Sequence, residues 1–209
     1  MAKLGLTHRF IPATQPGLAP LLLLHGTGGD ENDLLPLGGQ LSPGGALLSP
    51  RGQVLENGMP RFFRRLAEGV FDLEDLKLRT DELAAFVAQA RNIYGMAAPI
   101  AVGFSNGANI AASLMLSQPD VLRGAVLLRA MLPFEPKPPP KLSGKPVLLL
   151  SGSADRMIPA AASKRLAEVL QAAGADLVYK TIPTGHNLTQ SDFVTAAQWL
   201  KELKLEPNK

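Results

Sequence analysis

The sequence predicts an α/β domain built on a mostly parallel sheet. Short, continuous apolar runs recur along the 209 residues, longer amphipathic stretches separate them, and glycine or proline marks the joins. Runs so short and so apolar suit parallel strands covered by helices on both faces, because a half-exposed strand would alternate apolar and polar residues. Strand and helix following one another at this rhythm give a sheet linked by crossover helices.

The elements follow in order. Residues 7–11 predict an edge strand, and residues 20–24 a buried one that ends at His25-Gly26-Thr27-Gly28-Gly29. Residues 46–49 are a third short run, closed by Pro50 and Gly52. Over residues 72–92, Leu73, Leu76, Leu83, Phe86, Val87 and Ala90 recur at helical spacing with acids early, the signature of a helix with one apolar face. Residues 100–104 predict the next strand and the Ala- and Leu-rich residues 106–116 the helix after it. Strands are expected at 124–128, 147–150 and 177–182. A helix over 159–173 starts at Pro159 and stops before Gly174, and a last one over 191–203 puts Phe193, Val194, Ala197 and Leu200 on one face. The proline-rich residues 133–140 read as a surface excursion, so the whole of residues 1–209 reads as one domain.

Composition excludes several functions. Lys+Arg 21 against Asp+Glu 18 leaves a net charge of +3, too small and too evenly spread for a nucleic-acid surface. With Cys 0, disulfide scaffolds, zinc ribbons, iron–sulfur clusters and a cysteine nucleophile all drop out. Residues 1–10 lack the apolar core of a secretory signal, and no apolar run approaches the roughly 20 residues of a membrane helix, so the expectation is a cytoplasmic protein without a membrane partner.

The strongest motif is Gly103-Phe104-Ser105-Asn106-Gly107. Gly-x-Ser-x-Gly between a strand and a helix forms a sharp turn that lifts the serine hydroxyl clear of the sheet. A serine needs a base, and the base an orienting acid. Of His8, His25 and His186, only His186 lies after the last strand and before the last helix, where the base belongs when the order is serine, acid, histidine. Asp155 sits in the loop beyond the strand at 147–150; Asp120 and Asp176 read as solvated caps. An N-cap for the helix after Pro159 is the structural role open to Asp155. An oxyanion needs two backbone donors, expected from Asn106, after the nucleophile, and from Thr27 in the glycine loop. That loop lacks the Gly-Lys-Ser/Thr of a phosphate-binding loop, and Asp30, Glu31 and Asp33 would repel a phosphate.

These motifs resemble those of the small α/β-hydrolase carboxylesterases of the phospholipase/carboxylesterase family, which includes the acyl-protein thioesterases. LLLLHGTGGDENDLLPL resembles the family's oxyanion loop with its downstream acid, here Asp33; GFSNGAN resembles its elbow, GSADRMIP its acid loop and PTGHNL its histidine loop. The stretch LSPRGQVLENGMPRFFRRLAEGVFD is similar to a bacterial branch described as hydroquinone-associated carboxylesterases, and its MPRFF resembles a substrate-side segment with an aromatic pair. The resemblance implies an α/β-hydrolase fold and a serine esterase acting on small-molecule esters, with Ser105, His186 and Asp155 as catalytic residues and no metal or organic cofactor. The chain departs from the family's thioesterases in lacking a long lipid-binding loop, and it has no room for a cap domain. It departs from related dienelactone hydrolases in having no cysteine.

Leu34, Phe62, Phe63, Leu132, Met157 and Ile158 are expected either to wall the pocket or to pack in the core. Without a cap, short acyl groups are expected. Arg61, Arg64, Arg65 and Arg129 read as solvated arginines, an acidic acyl group being their other possible role. Leu and Phe near the site's rim leave room for a homodimer. A thioesterase is the alternative within the same chemistry, and a non-catalytic sensor of small ligands the alternative outside it.

Overall fold

The computed structural model describes residues 4–203. A seven-stranded sheet carries the fold. Strand β1 (His8–Ile11) precedes β2 (Leu21–Leu24), a short helix α1 (Leu35–Leu41) and β3 (Leu47–Pro50). Two small hairpins follow, β4 (Val54–Glu56) with β5 (Met59–Arg61) and β6 (Arg65–Ala67) with β7 (Val70–Phe71). Helix α2 (Leu73–Tyr94), β8 (Ile100–Phe104), α3 (Asn106–Ser117), β9 (Gly124–Leu128), β10 (Pro146–Gly152), α4 (Ala160–Ala172), β11 (Asp176–Ile182) and α5 (Gln190–Glu202) complete the order. The sheet runs β1-β3-β2-β8-β9-β10-β11. Only the β1–β3 pair at one edge is antiparallel.

Strand alternation sorts the core into two layers. Leu22, Leu24, Ala101, Ala125, Leu127, Val147 and Leu149 face one way, under α2, α3 and α4. Leu21, Leu23, Val102, Val126, Leu128, Leu148 and Leu150 face the other, under α1 and α5. Burial on both faces is why these strands read as unbroken apolar runs.

Several boundaries are decided by caps. Helix α2 starts at Asp72, whose carboxylate accepts from the Asp75 N–H, and stops at Gly95 in the left-handed conformation. Helix α4 starts at Ala160 with Pro159 as its cap, one residue later than the sequence suggests. The excursion after β9 lies along the helices: Phe134 packs against the α2–α4 side of the core, and Glu135 pairs with Arg165 of α4 at 2.8 Å. No cap domain stands over the sheet among the described residues; the two hairpins are the folded pieces added near its carboxyl edge. Among those residues no helix is long and apolar enough to cross a membrane.

Candidate active site

The turn from β8 into α3 is tight because its glycines allow it. A Cβ on Gly107 would lie 2.0 Å from the Leu24 carbonyl oxygen, and one on Gly103 2.6 Å from that of Gly107. Ser105 between them takes φ 52 and ψ −113, a conformation seldom adopted by a residue with a side chain. Its N–H continues the sheet by donating to the Leu128 carbonyl at 2.9 Å.

The Ser105 hydroxyl meets His186 Nε2 at 2.9 Å, and His186 Nδ1 meets Asp155 Oδ2 at 2.8 Å. With the serine as donor to Nε2, the ring proton sits on Nδ1 and is donated to the carboxylate. The other carboxylate oxygen, Oδ1, accepts from the Met157 and Ile158 N–H groups, both at 2.9 Å. That pair of bonds holds the acid in place, so Asp155 caps its own loop while the N-cap of α4 is Pro159. The acid and histidine loops touch directly. Ala154 N–H donates to the Thr184 carbonyl at 3.0 Å, and a Cβ on Gly152 would lie 2.4 Å from the Gly185 carbonyl oxygen. All three side chains stand beyond the carboxyl ends of parallel strands.

The glycine loop after β2 is anchored from both ends. The Gly52 N–H donates to buried His25 Nε2 at 3.0 Å, so Nδ1 carries the proton and donates to the Gly26 carbonyl at 2.7 Å. Burial lowers the His25 pKa below its ordinary value, in keeping with a neutral ring. On the far side, Gly28 N–H donates to the Pro60 carbonyl and Arg61 Nη1 to the Thr27 hydroxyl at 2.7 Å. Asn106 Oδ1 accepts from the Phe62 N–H at 2.7 Å. Strand β5 and the residue after it therefore tie the glycine loop to the elbow. Among the described residues, neither the Thr27 nor the Asn106 N–H has a backbone acceptor.

A cavity of about 380 Å³ opens above Ser105, with Thr27, Asn106 and His186 also on its wall. Met157 and Ile158 line it, as does Met59 of the MPRFF segment, together with Phe71 and Met131, which sequence reasoning did not single out. Four expected walls are corrected. Leu34, Phe62 and Phe63 are buried core residues, and Leu132 packs against the same core; none of the four lines the cavity. Phe62 and Phe63 follow hairpin strand β5 and turn inward, where Phe63 meets Phe71 edge to face.

Two of the arginines also stand corrected. Arg61 is 3% exposed and Arg129 0%, so neither is a solvated surface group. Arg61 pairs with Glu56 at 3.0 Å, and Arg65, half-buried on the cavity wall, pairs with the same carboxylate at 2.8 Å. Arg64 is the exposed one, with its side chain 61% accessible. Among the described residues no group of three or more His, Cys, Asp or Glu side chains is placed to hold a metal ion.

Known proteins share this sequence pattern and this fold. The family model for phospholipase/carboxylesterase matches residues 86–204. The putative hydrolase MhqD of Bacillus subtilis (strain 168) is 47% identical over 184 residues, 87% of this chain and 92% of that protein. Among solved structures, the Bacillus cereus carboxylesterase superposes with a TM-score of 0.92 at 43% identity, covering 95% of this chain and 94% of its own. A carboxylesterase from Mesorhizobium loti superposes with a TM-score of 0.91 at 31% identity, covering 97% of each.

Proposed function

This chain belongs to the phospholipase/carboxylesterase family and is a carboxylesterase, and we propose that it cleaves esters of small acyl groups through an acyl-enzyme on Ser105. The observation that carries this reading is the unbroken hydrogen-bonded line from Ser105 through His186 to Asp155. Ser105 Oγ attacks the ester carbonyl as its proton passes to His186 Nε2. Asp155 keeps the other ring proton on Nδ1, which leaves Nε2 free to accept, and steadies the imidazolium that forms. The Thr27 and Asn106 amides receive the oxyanion; one such donor is typically worth about 10²–10³ in turnover. His186 returns the proton to the leaving alcohol, and a water repeats the sequence to release the acid.

The size of the cavity supports small acyl groups. Its 380 Å³ lies near the lower end of ligand pockets, which run from about 300 Å³ upwards. Met59 and Met157, both exposed, stand on its wall and give it an apolar side. Two carboxylates, Glu56 paired with both Arg61 and Arg65 and Glu68 on the cavity wall, balance the two arginines, which favours an uncharged acyl group over an acidic one. Family membership and a serine in contact with a base support an enzyme over a ligand sensor.

The test is a panel of p-nitrophenyl esters from acetate to octanoate, with a carboxylated ester and an acetyl thioester included. Acetate and butyrate should be turned over best, and Ser105→Ala should lose all measurable activity. Preference for octanoate would overturn the acyl assignment, and wild-type turnover by Ser105→Ala would overturn the mechanism.

A further inference from the structure

Arg129 follows β9 at the carboxyl edge of the sheet, yet its side chain and that of Asp192 are both 0% exposed. The two form a bidentate pair, Nη1 to Oδ1 and Nη2 to Oδ2, each at 2.8 Å. The remaining guanidinium donors are also used. Nε donates to the Gly185 carbonyl at 3.1 Å, Nη2 to that of Asn187 at 3.3 Å, and Nη1 to that of Leu150 at 3.4 Å. A guanidinium has five N–H groups, and each has its own acceptor here. Asp192 in turn accepts from the Thr189 N–H and hydroxyl, closing the capping box of α5.

Gly185 and Asn187 are the residues on either side of His186. From this arrangement we propose that Arg129 is the positioning residue of His186: it grips the peptide carbonyls flanking the base and anchors that grip on Asp192. The proposal rests on the reading of His186 as the base. Two features support it beyond the contacts. A buried ion pair is rarely worth more to stability than a well-packed apolar pair of similar volume, but no apolar pair can donate to the two flanking carbonyls. Arg129 also holds φ 57, a left-handed conformation that a long side chain adopts only when its surroundings impose it. Lysine cannot replace it, since an ammonium offers three donors from one point rather than a planar fork.

The experiment uses Arg129→Lys and the double variant Arg129→Met/Asp192→Leu, with Asp192→Asn as a milder variant should the others fail to fold. Each is assayed well below its own melting temperature, and the ¹H–¹⁵N signals of the His186 imidazole are recorded alongside. A displaced base should lower kcat by about 100-fold with KM little changed, and the imidazole signals should shift or broaden. The double variant should recover thermal stability without recovering kcat, which a purely structural role would not produce. Wild-type kcat in the double variant, or unaltered imidazole signals in Arg129→Lys and Asp192→Asn, would overturn the proposal. If His186→Ala keeps wild-type turnover, the reading of the base fails instead, and the imidazole signals still decide whether Arg129 sets the ring's place.

Discussion

Asp155 divides its two oxygens between two tasks: Oδ1 is fixed by the Met157 and Ile158 amides, and Oδ2 faces His186. Asp155→Asn separates the tasks. The amide oxygen would keep the two backbone donors, which turns the NH₂ toward His186 Nδ1. That nitrogen must then accept, the ring proton moves to Nε2, and Ser105 loses its base. The variant should fold with a nearly unchanged melting temperature while kcat falls about 10⁴-fold; a fall below tenfold in steady-state assays would contradict the assignment. The three residues were legible in the sequence because each sits at a fixed place relative to a strand that is itself legible. Arg129 and Asp192 were not. They lie 63 positions apart, and an arginine after an apolar strand gives no sign of which carboxylate it will meet.

The main strands and the long helices announce themselves by their apolar pattern, and the short elements do not. Helix α1 has seven residues, two of them glycine, too few and too poor in propensity to register alone. Tertiary packing makes it, with Leu34, Leu37 and Leu41 buried against the sheet. The β4–β5 hairpin did carry a signal, since Asn57 and Gly58 both have positive φ in its two-residue turn, the chemistry of Asn-Gly hairpins. The substrate-side reading of MPRFF holds for Met59 and Arg61, which line the cavity, and not for the aromatic pair Phe62 and Phe63, which is buried; Pro60, Arg61 and Phe62 also brace the glycine loop and the elbow. Glycines at element joins can be ranked by what surrounds them. Gly107→Ala would drive a Cβ into the Leu24 backbone and should cost roughly 1–3 kcal/mol or more. Exposed Gly39 in α1 has nothing within 4 Å of its Cβ position, so Gly39→Ala should add up to about 1 kcal/mol. Urea unfolding of both variants checks the contrast, and equal effects would contradict it.

Across the whole molecule, Ser105 and His186 are 81 positions apart and meet only because parallel strands deliver β8, β10 and β11 to one edge. The sheet order is what converts three loops into one site. The same edge receives the glycine loop after β2 and the hairpins after β3, so the donors and the cavity wall arrive by the same route. With no cap over that edge among the described residues, substrate size is set by side chains on the cavity wall. The size of the cavity was not legible in the sequence, because its walls come from Met59, Phe71 and Met131 in loops and hairpins whose paths depend on tertiary contacts.

Trapping the intermediate puts the chemistry to the proof. The enzyme is mixed with excess p-nitrophenyl acetate, quenched in acid within the first turnover, digested and analysed by mass spectrometry. One acetyl group should be found on the peptide containing Ser105, matched by a stoichiometric burst of p-nitrophenol, and both should vanish in Ser105→Ala. Acetyl groups on another residue, or rapid turnover with no modified Ser105 peptide at any quench time, would contradict a mechanism centred on this serine.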